Sequence, residues 1–186
     1  MKTLSAKVVG IYPTKSGTEA VVQYVRPRDL EPIFAIIRDR RRELASMGQR
    51  YIDLNSEDKA EWALQIQKPE SLILVAEVNK KVAGYIGLAP NPKGEEPGTT
   101  WVYALMVLAA QRRQGIGRAL LESALSEAKH NRGLSSVMLC VAEPNFAKNL
   151  YESCGFVQVG EPFQGEWAGR PARRFIMVKH FREDQA

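Results

Sequence analysis

An apolar run from Thr100 to Leu108 leads into Gln111-Arg112-Arg113-Gln114-Gly115-Ile116-Gly117, and a helical run then extends from Ile116 to about His130. Few backbones accept that order. Glycine alone takes left-handed dihedrals without steric cost, so Gly115 and Gly117 point to a tight turn in which the backbone can approach a ligand closely. The turn opens directly into a helix, whose first amides lack intrahelical partners and whose dipole favours negative charge. Strand, glycine turn and helix together make an anion cradle, and Arg112, Arg113 and Arg118 add positive charge around it. A pyrophosphate is the natural guest. The segment is not a Walker A loop, because Gly117 is followed by Arg118-Ala119 rather than Lys-Ser/Thr. It is not a dinucleotide fingerprint either, because Leu120 stands where the third glycine belongs. Taken alone, the loop is equally well read as a tight turn with a solvated basic face.

At 186 residues the chain has the size of one domain, and 45% hydrophobic residues suffice for a core. The net charge of +5 favours anionic partners without choosing among them. Cys140 and Cys154 are the only cysteines and His130 and His180 the only histidines. Their spacing offers no metal site and no disulfide framework, so the expectation is reduced, buried thiols and no metal. Met1 to Tyr12 lacks a sustained apolar run, and no stretch approaches the roughly 20 apolar residues of a membrane span. A cytoplasmic protein without membrane contact is expected.

Periodicity gives a mixed α/β order. Residues 1–19 read as an N-terminal extension, or as an accessory strand over Lys7 to Tyr12, and residues 20–182 as one domain. Ala20 to Val25 favours a strand. Asp29 offers a cap for a helix to about Ala45, with Ile33, Phe34, Ile37 and Leu44 on one face. Asn55 and Ser56 precede a second helix that ends before Pro69. Leu72 to Val78 and Val82 to Leu88, split by Asn79-Lys80-Lys81, read as a hairpin. Pro90 to Gly98 reads as a loop. After the glycine turn and its helix come a buried strand at Val137 to Val141 and a short helix near Phe146 to Ser153. Strands at Phe156 to Val159 and Arg174 to Lys179 follow, with a Gly/Pro-rich loop between them.

Several segments in fixed order carry a resemblance. Leu105-Met106-Val107, then Arg112 to Leu121, then Leu139-Cys140-Val141, then Asn145-Phe146-Ala147-Lys148-Asn149-Leu150-Tyr151-Glu152-x-x-Gly155-Phe156 are similar to the GCN5-related N-acetyltransferase (GNAT) family. The resemblance implies a mostly antiparallel central sheet flanked by helices and splayed between Val102 to Val107 and Val137 to Val141. It also implies acetyl-CoA as co-substrate, an amine acceptor and transfer by direct attack. Main-chain groups of Leu105, Met106 and Val107 would hold the acetyl and pantetheine portion. Arg112 and the amides of Arg113, Gln114, Gly115, Ile116, Gly117 and Arg118 would hold the pyrophosphate. Asn145 would contact the cofactor, and Tyr151 would protonate the leaving thiolate, as a phenol with an ordinary pKa of about 10 can.

Two departures stand out. Where the family has an asparagine seven residues before the tyrosine, this chain has Pro144, and Asn145 comes one residue late. Trp101 to Val107 contains no carboxylate, so a general base would come from Glu77, Glu143 or Glu166, or from water. Cys140 reads better as a buried thiol than as a nucleophile. Trp167 reads equally as an acceptor contact or as cover for the core, and alternation leaves the faces of Tyr85 and Tyr103 open. The run Arg38, Arg40, Arg41, Arg42 has Asp39 and Glu43 interleaved and reads as a solvated helix face. A nucleic-acid partner would need interleaved aromatic recognition, which is missing. The rival enzyme-free reading is an acyl-CoA-binding regulatory module of the same fold. A homodimer is common among similar proteins.

Overall fold

The computed structural model describes residues 7–47, 54–90, 97–143, 145–167 and 170–181. Pro144 and the middle of the loop expected at Pro90 to Gly98 lie outside them. Among the described residues, eight strands form one sheet in the order β1-β2-β3-β4-β5-β6-β8-β7. Their ranges are β1 Val8–Pro13, β2 Glu19–Tyr24, β3 Leu72–Val78, β4 Lys81–Ala89, β5 Thr99–Val107, β6 Ser136–Ala142, β7 Val157–Trp167 and β8 Arg170–His180. Every neighbouring pair is antiparallel except β5 with β6.

Four α-helices among the described residues cover the two faces. Helices α1 (Leu30–Ser46) and α2 (Ser56–Gln65) lie on one, α3 (Ile116–Ser126) and α4 (Ala147–Ser153) on the other. Alternation along the strands feeds both cores. Leu72, Leu74 and Ala76 of β3 pack toward α3, whereas Val75 packs toward α1. On α1 the buried stripe is Ile33, Phe34, Ile36 and Ile37. Leu44, expected on that face, is only half-buried. Helix α3 buries Ile116, Leu120, Leu121 and Ala124, each large side chain contributing roughly 1.5–3 kcal/mol. It ends in a single π turn, Glu127–Asn131. Helix α2 is fixed at its start by a reciprocal cap: the Asn55 side chain accepts from the Asp58 amide, and Asp58 accepts from the Asn55 amide. No helix among the described residues is long and apolar enough to cross a membrane.

One sequence expectation is corrected. The Gly/Pro-rich stretch between Val159 and Arg174 is mostly strand, and β7 and β8 form a long hairpin ending at Trp167 and Arg170. Strand β7 lies at the sheet edge, where Pro162 needs no ladder amide. The register shifts between Val159 and Phe163, and Gly160 there takes φ +65°. That irregularity absorbs the residues that looked like a break.

Candidate active site

The sheet opens at its parallel pair. Strands β5 and β6 are joined only over Thr99 to Val102 and Ser136 to Leu139. Beyond that, Tyr103 to Val107 and Cys140 to Ala142 have no partner across the gap, although each strand stays paired on its other side. A bulge accompanies the parting. Gly87 of β4 faces Ala104 and Leu88 faces Val102, leaving Tyr103 as the extra residue on β5. The Tyr103 ring lies directly over Gly87, where any Cβ would strike it.

The Leu105 and Val107 side chains pack into the α3-side core, and that of Met106 into the α1-side core. With both sets of side chains anchored, main-chain N–H and C=O groups are left along the gap. This suits the extended, amide-bearing arm of an acyl carrier, which can bond like a strand.

At the mouth of the gap, Ala109–Gln111 forms one 3-10 turn before the glycine loop. Gly115 is the N-cap of α3 with φ +93°, and its carbonyl accepts the first helical bond, from the Ala119 amide at 3.0 Å. A Cβ at Gly115 would meet nothing within 4 Å, so the positive φ, not crowding, calls for glycine. Arg113 also sits at positive φ, +66°. At Gly117 an added Cβ would make ordinary contact with Leu150 at 3.6 Å. The β1–β2 turn docks here too. The Lys15 amide donates to the Gln114 carbonyl at 3.2 Å, and Tyr12 Oη shares a 2.7 Å bond with Ser123 Oγ on α3. The segment that looked peripheral in sequence thus supports the loop.

The predicted side chains separate into groups. Arg112 reaches to the other face of the sheet, where Nη1 and Nη2 donate to the two Glu43 oxygens at 2.8 and 2.7 Å and Nε donates to the Val107 carbonyl at 3.1 Å. Its charge is therefore committed to α1. Arg118 bonds Glu122 at 3.1 Å and Ser153 Oγ at 2.7 Å, tying α3 to α4. Arg113 is exposed, and Gln114 Oε1 is buried without a partner among the described residues. Asn145 precedes Phe146, the N-cap of α4, and its Oδ1 accepts the Ala147 amide at 3.0 Å in an Asx turn that fixes the start of the helix.

Tyr151 is 8% exposed, stacked edge-on to Phe156 at 5.9 Å, and its hydroxyl has no hydrogen-bond partner among the described residues. Burial pushes its phenol up to about 12. Among the base candidates, Glu77 pairs with Arg26 and Glu143 lies 3.6 Å from Arg173, while Glu166 is exposed on β7. Cys140 is a free, half-buried thiol.

Beside the gap, Trp62 is the hub of three edge-on ring contacts, 5.5 Å to Tyr85 and 6.4 Å to each of Phe34 and Tyr103. Tyr85 is fully buried and donates to Met106 Sδ at 3.4 Å, whereas Tyr103 is 44% exposed. Burial raises both phenols above their ordinary range. Sequence reasoning missed Glu43 as the partner of Arg112. The signal was present only as a carboxylate interleaved in the arginine run.

Comparisons agree with this architecture. N-acetyltransferase 8 of Homo sapiens is 36% identical over 101 residues, which is 53% of this chain and 44% of that protein. N-acetyltransferase 8B is 35% identical over the same lengths, so the chain spans under half of these curated relatives. Among solved structures, the ribosomal-protein-alanine N-acetyltransferase of Brucella melitensis matches with TM-score 0.74 and 25% identity, covering 86% of this chain and 99% of that one. The yncA protein of Salmonella typhimurium, solved with its cofactor acetyl-CoA, matches with TM-score 0.72 and 21% identity over 90% of this chain and 96% of its own. The sequence profile of the acetyltransferase (GNAT) family spans residues 33–156. These bounds take in α1 from Ile33 onward, the bulged strand, the glycine loop and Tyr151, and the chain belongs to that family.

Proposed function

We propose that this chain transfers acetyl from acetyl-CoA to a primary amine, with residues 20–182 as the catalytic unit and residues 1–19 as an accessory element. The observation that carries the reading is the gap between β5 and β6, which runs from the Tyr103 bulge to the amides at the start of α3. Its unpaired main chain suits a pantetheine arm, and the open space beside Gly115 suits a diphosphate.

Acetyl-CoA supplies an activated thioester. The main chain of Leu105 to Val107 fixes its carbonyl and offers amide donors to the oxyanion that develops as the amine nitrogen attacks. A C–N bond forms and the C–S bond breaks. Tyr151 donates its phenolic proton to the departing thiolate, the proton lost by the amine passes to water, and water returns a proton to the phenolate. Burial keeps the phenol protonated throughout the physiological range, so the donor form is always present. The amides of Arg113 to Arg118 hold the diphosphate. Arg112 shapes that loop from α1, and Asn145 acts by fixing the start of α4.

Thiol release from acetyl-CoA across a panel of amines tests the reading, with Tyr151→Phe beside wild type. Turnover on one amine class, strongly reduced in the variant, is expected. One observation favours a second reading: β5 carries no carboxylate, and Glu77 and Glu143 lie beside arginines. Tight CoA binding without turnover on any amine would favour a non-catalytic acyl-CoA-binding module.

A further inference from the structure

Glu43 sits on the last turns of α1, remote in sequence from every segment of the candidate site, yet both its oxygens are engaged. Arg112 takes them in a fork, and Arg40 Nη1 lies 2.7 Å from Oε2. The Arg112 Nε then holds the carbonyl of Val107, the last residue of β5. Asp39, on the same helix, accepts the Ala109 amide at 3.4 Å. Two carboxylates of α1 therefore grip the turn between β5 and the glycine loop. In the other direction, the Arg40 guanidinium lies 6.0 Å from the centre of the Trp167 ring, at the tip of the β7–β8 hairpin. One carboxylate thus joins the loop that would hold the diphosphate to a hairpin on the far side of the gap.

We propose that Glu43 is a positioning residue: by holding Arg112 and Arg40 together, it sets the shape of the glycine loop and couples that loop to the β7–β8 hairpin. This rests on the CoA reading of the loop. It also reverses the role that sequence suggests for Arg112, and the two roles differ in sign. If Arg112 is a phosphate ligand, Glu43 competes for it, and Glu43→Gln tightens CoA binding. If Arg112 works by being held, Glu43→Gln loosens the loop and weakens CoA binding.

The test is calorimetric titration of CoA into wild type, Glu43→Gln and Arg112→Lys. The lysine keeps the charge and loses the planar fork. Both variants are expected to weaken CoA by about 10-fold, within the usual range of coupling between sites. Trp167 emission, taken as wild type minus Trp167→Phe, is expected to change on CoA addition, and to stop responding in Glu43→Gln and in Arg40→Met. Melting transitions check that each variant folds, and Arg112→Lys and Arg40→Met carry the test should Glu43→Gln fail to. CoA binding equal to wild type, or tighter, in Glu43→Gln would overturn the positioning role. A Trp167 response that is absent from wild type, or persists in Arg40→Met, would overturn the coupling. Wild type that fails to bind CoA at all would remove the underlying reading and this inference with it.

Discussion

Replacing Tyr151 with phenylalanine separates chemistry from folding. The ring packs in the core against Phe156 at 5.9 Å, and phenylalanine keeps that contact. The hydroxyl has no partner among the described residues and sits in a side chain 8% exposed. That oxygen is not one of the side-chain atoms buried without a partner, so it reaches solvent. Its removal therefore recovers little desolvation and is neutral or stabilising by no more than about 0.5 kcal/mol, at most roughly 1–2 °C in Tm for a chain of this size. Loss of a general acid lowers turnover by about 10²–10⁴-fold. The expected result is a protein at least as stable as wild type, with CoA affinity kept and kcat strongly reduced. Thermal melts and thiol release at saturating acetyl-CoA measure the two halves. A Tm drop of several degrees with turnover retained would refute the argument, because the hydroxyl would then be structural. The pH profile adds a second check. With the phenol raised to about 12, Tyr151 contributes no basic limb below about pH 10. A limb near pH 8 that disappears in Tyr151→Phe would show that burial is not what governs this group.

Three further outcomes follow from the loop and its supports. Gly115→Ala forces a side chain into φ +93° and is expected to cost about 1–2 kcal/mol in urea unfolding, whereas Gly117→Ala, helical and making ordinary contact with Leu150, is neutral or slightly stabilising. Gly87→Ala would push the half-exposed Tyr103 ring aside rather than overpack the core, so it should lower stability by no more than about 1 kcal/mol while weakening CoA binding by displacing the ring at the bulge, as melts and CoA titration would show. The Arg112 fork lowers the Glu43 carboxyl from 4.5 to about 2. Because the folded value is depressed, its stabilisation is fully present above about pH 4.5 and fades as pH falls toward 2. The shift alone corresponds to about 3 kcal/mol, and discounting for solvent at a partly exposed side chain leaves about 1–2 kcal/mol. The stability gap between wild type and Glu43→Gln should therefore narrow between pH 7 and pH 3.

What could be read in advance was local. The β3–β4 hairpin shows in Asn79-Lys80, which take φ +50° and +62° in a two-residue turn. The start of α2 shows in Asn55 and Ser56, and Asp58, three residues after Asn55, completes the cap in the structure. The glycine loop is legible for the same reason, since Gly115 and the helix it caps are adjacent. Contacts made between distant segments were not legible. Nothing near Arg112 announces Glu43, 69 residues earlier, and nothing near Asn145 shows whether it faces a ligand or fixes the start of the helix that follows. The β7–β8 hairpin was misjudged because glycine and proline signal a break only in a strand that needs every amide. On an edge that requirement lapses.

The parting of β5 and β6 gives this sheet two further edges in its interior. Edge strands elsewhere are blunted by charge, proline or brevity, because an open row of amides recruits any extended chain that finds it. Here the open rows are Leu105-Met106-Val107 and Cys140-Val141-Ala142, apolar and free of charge. On the proposed reading, the slot that would admit an acyl carrier is therefore also open to self-association. An arm lying in that slot closes it as a strand would, so on this reading the ligand-loaded form resists aggregation on storage and the empty form does not.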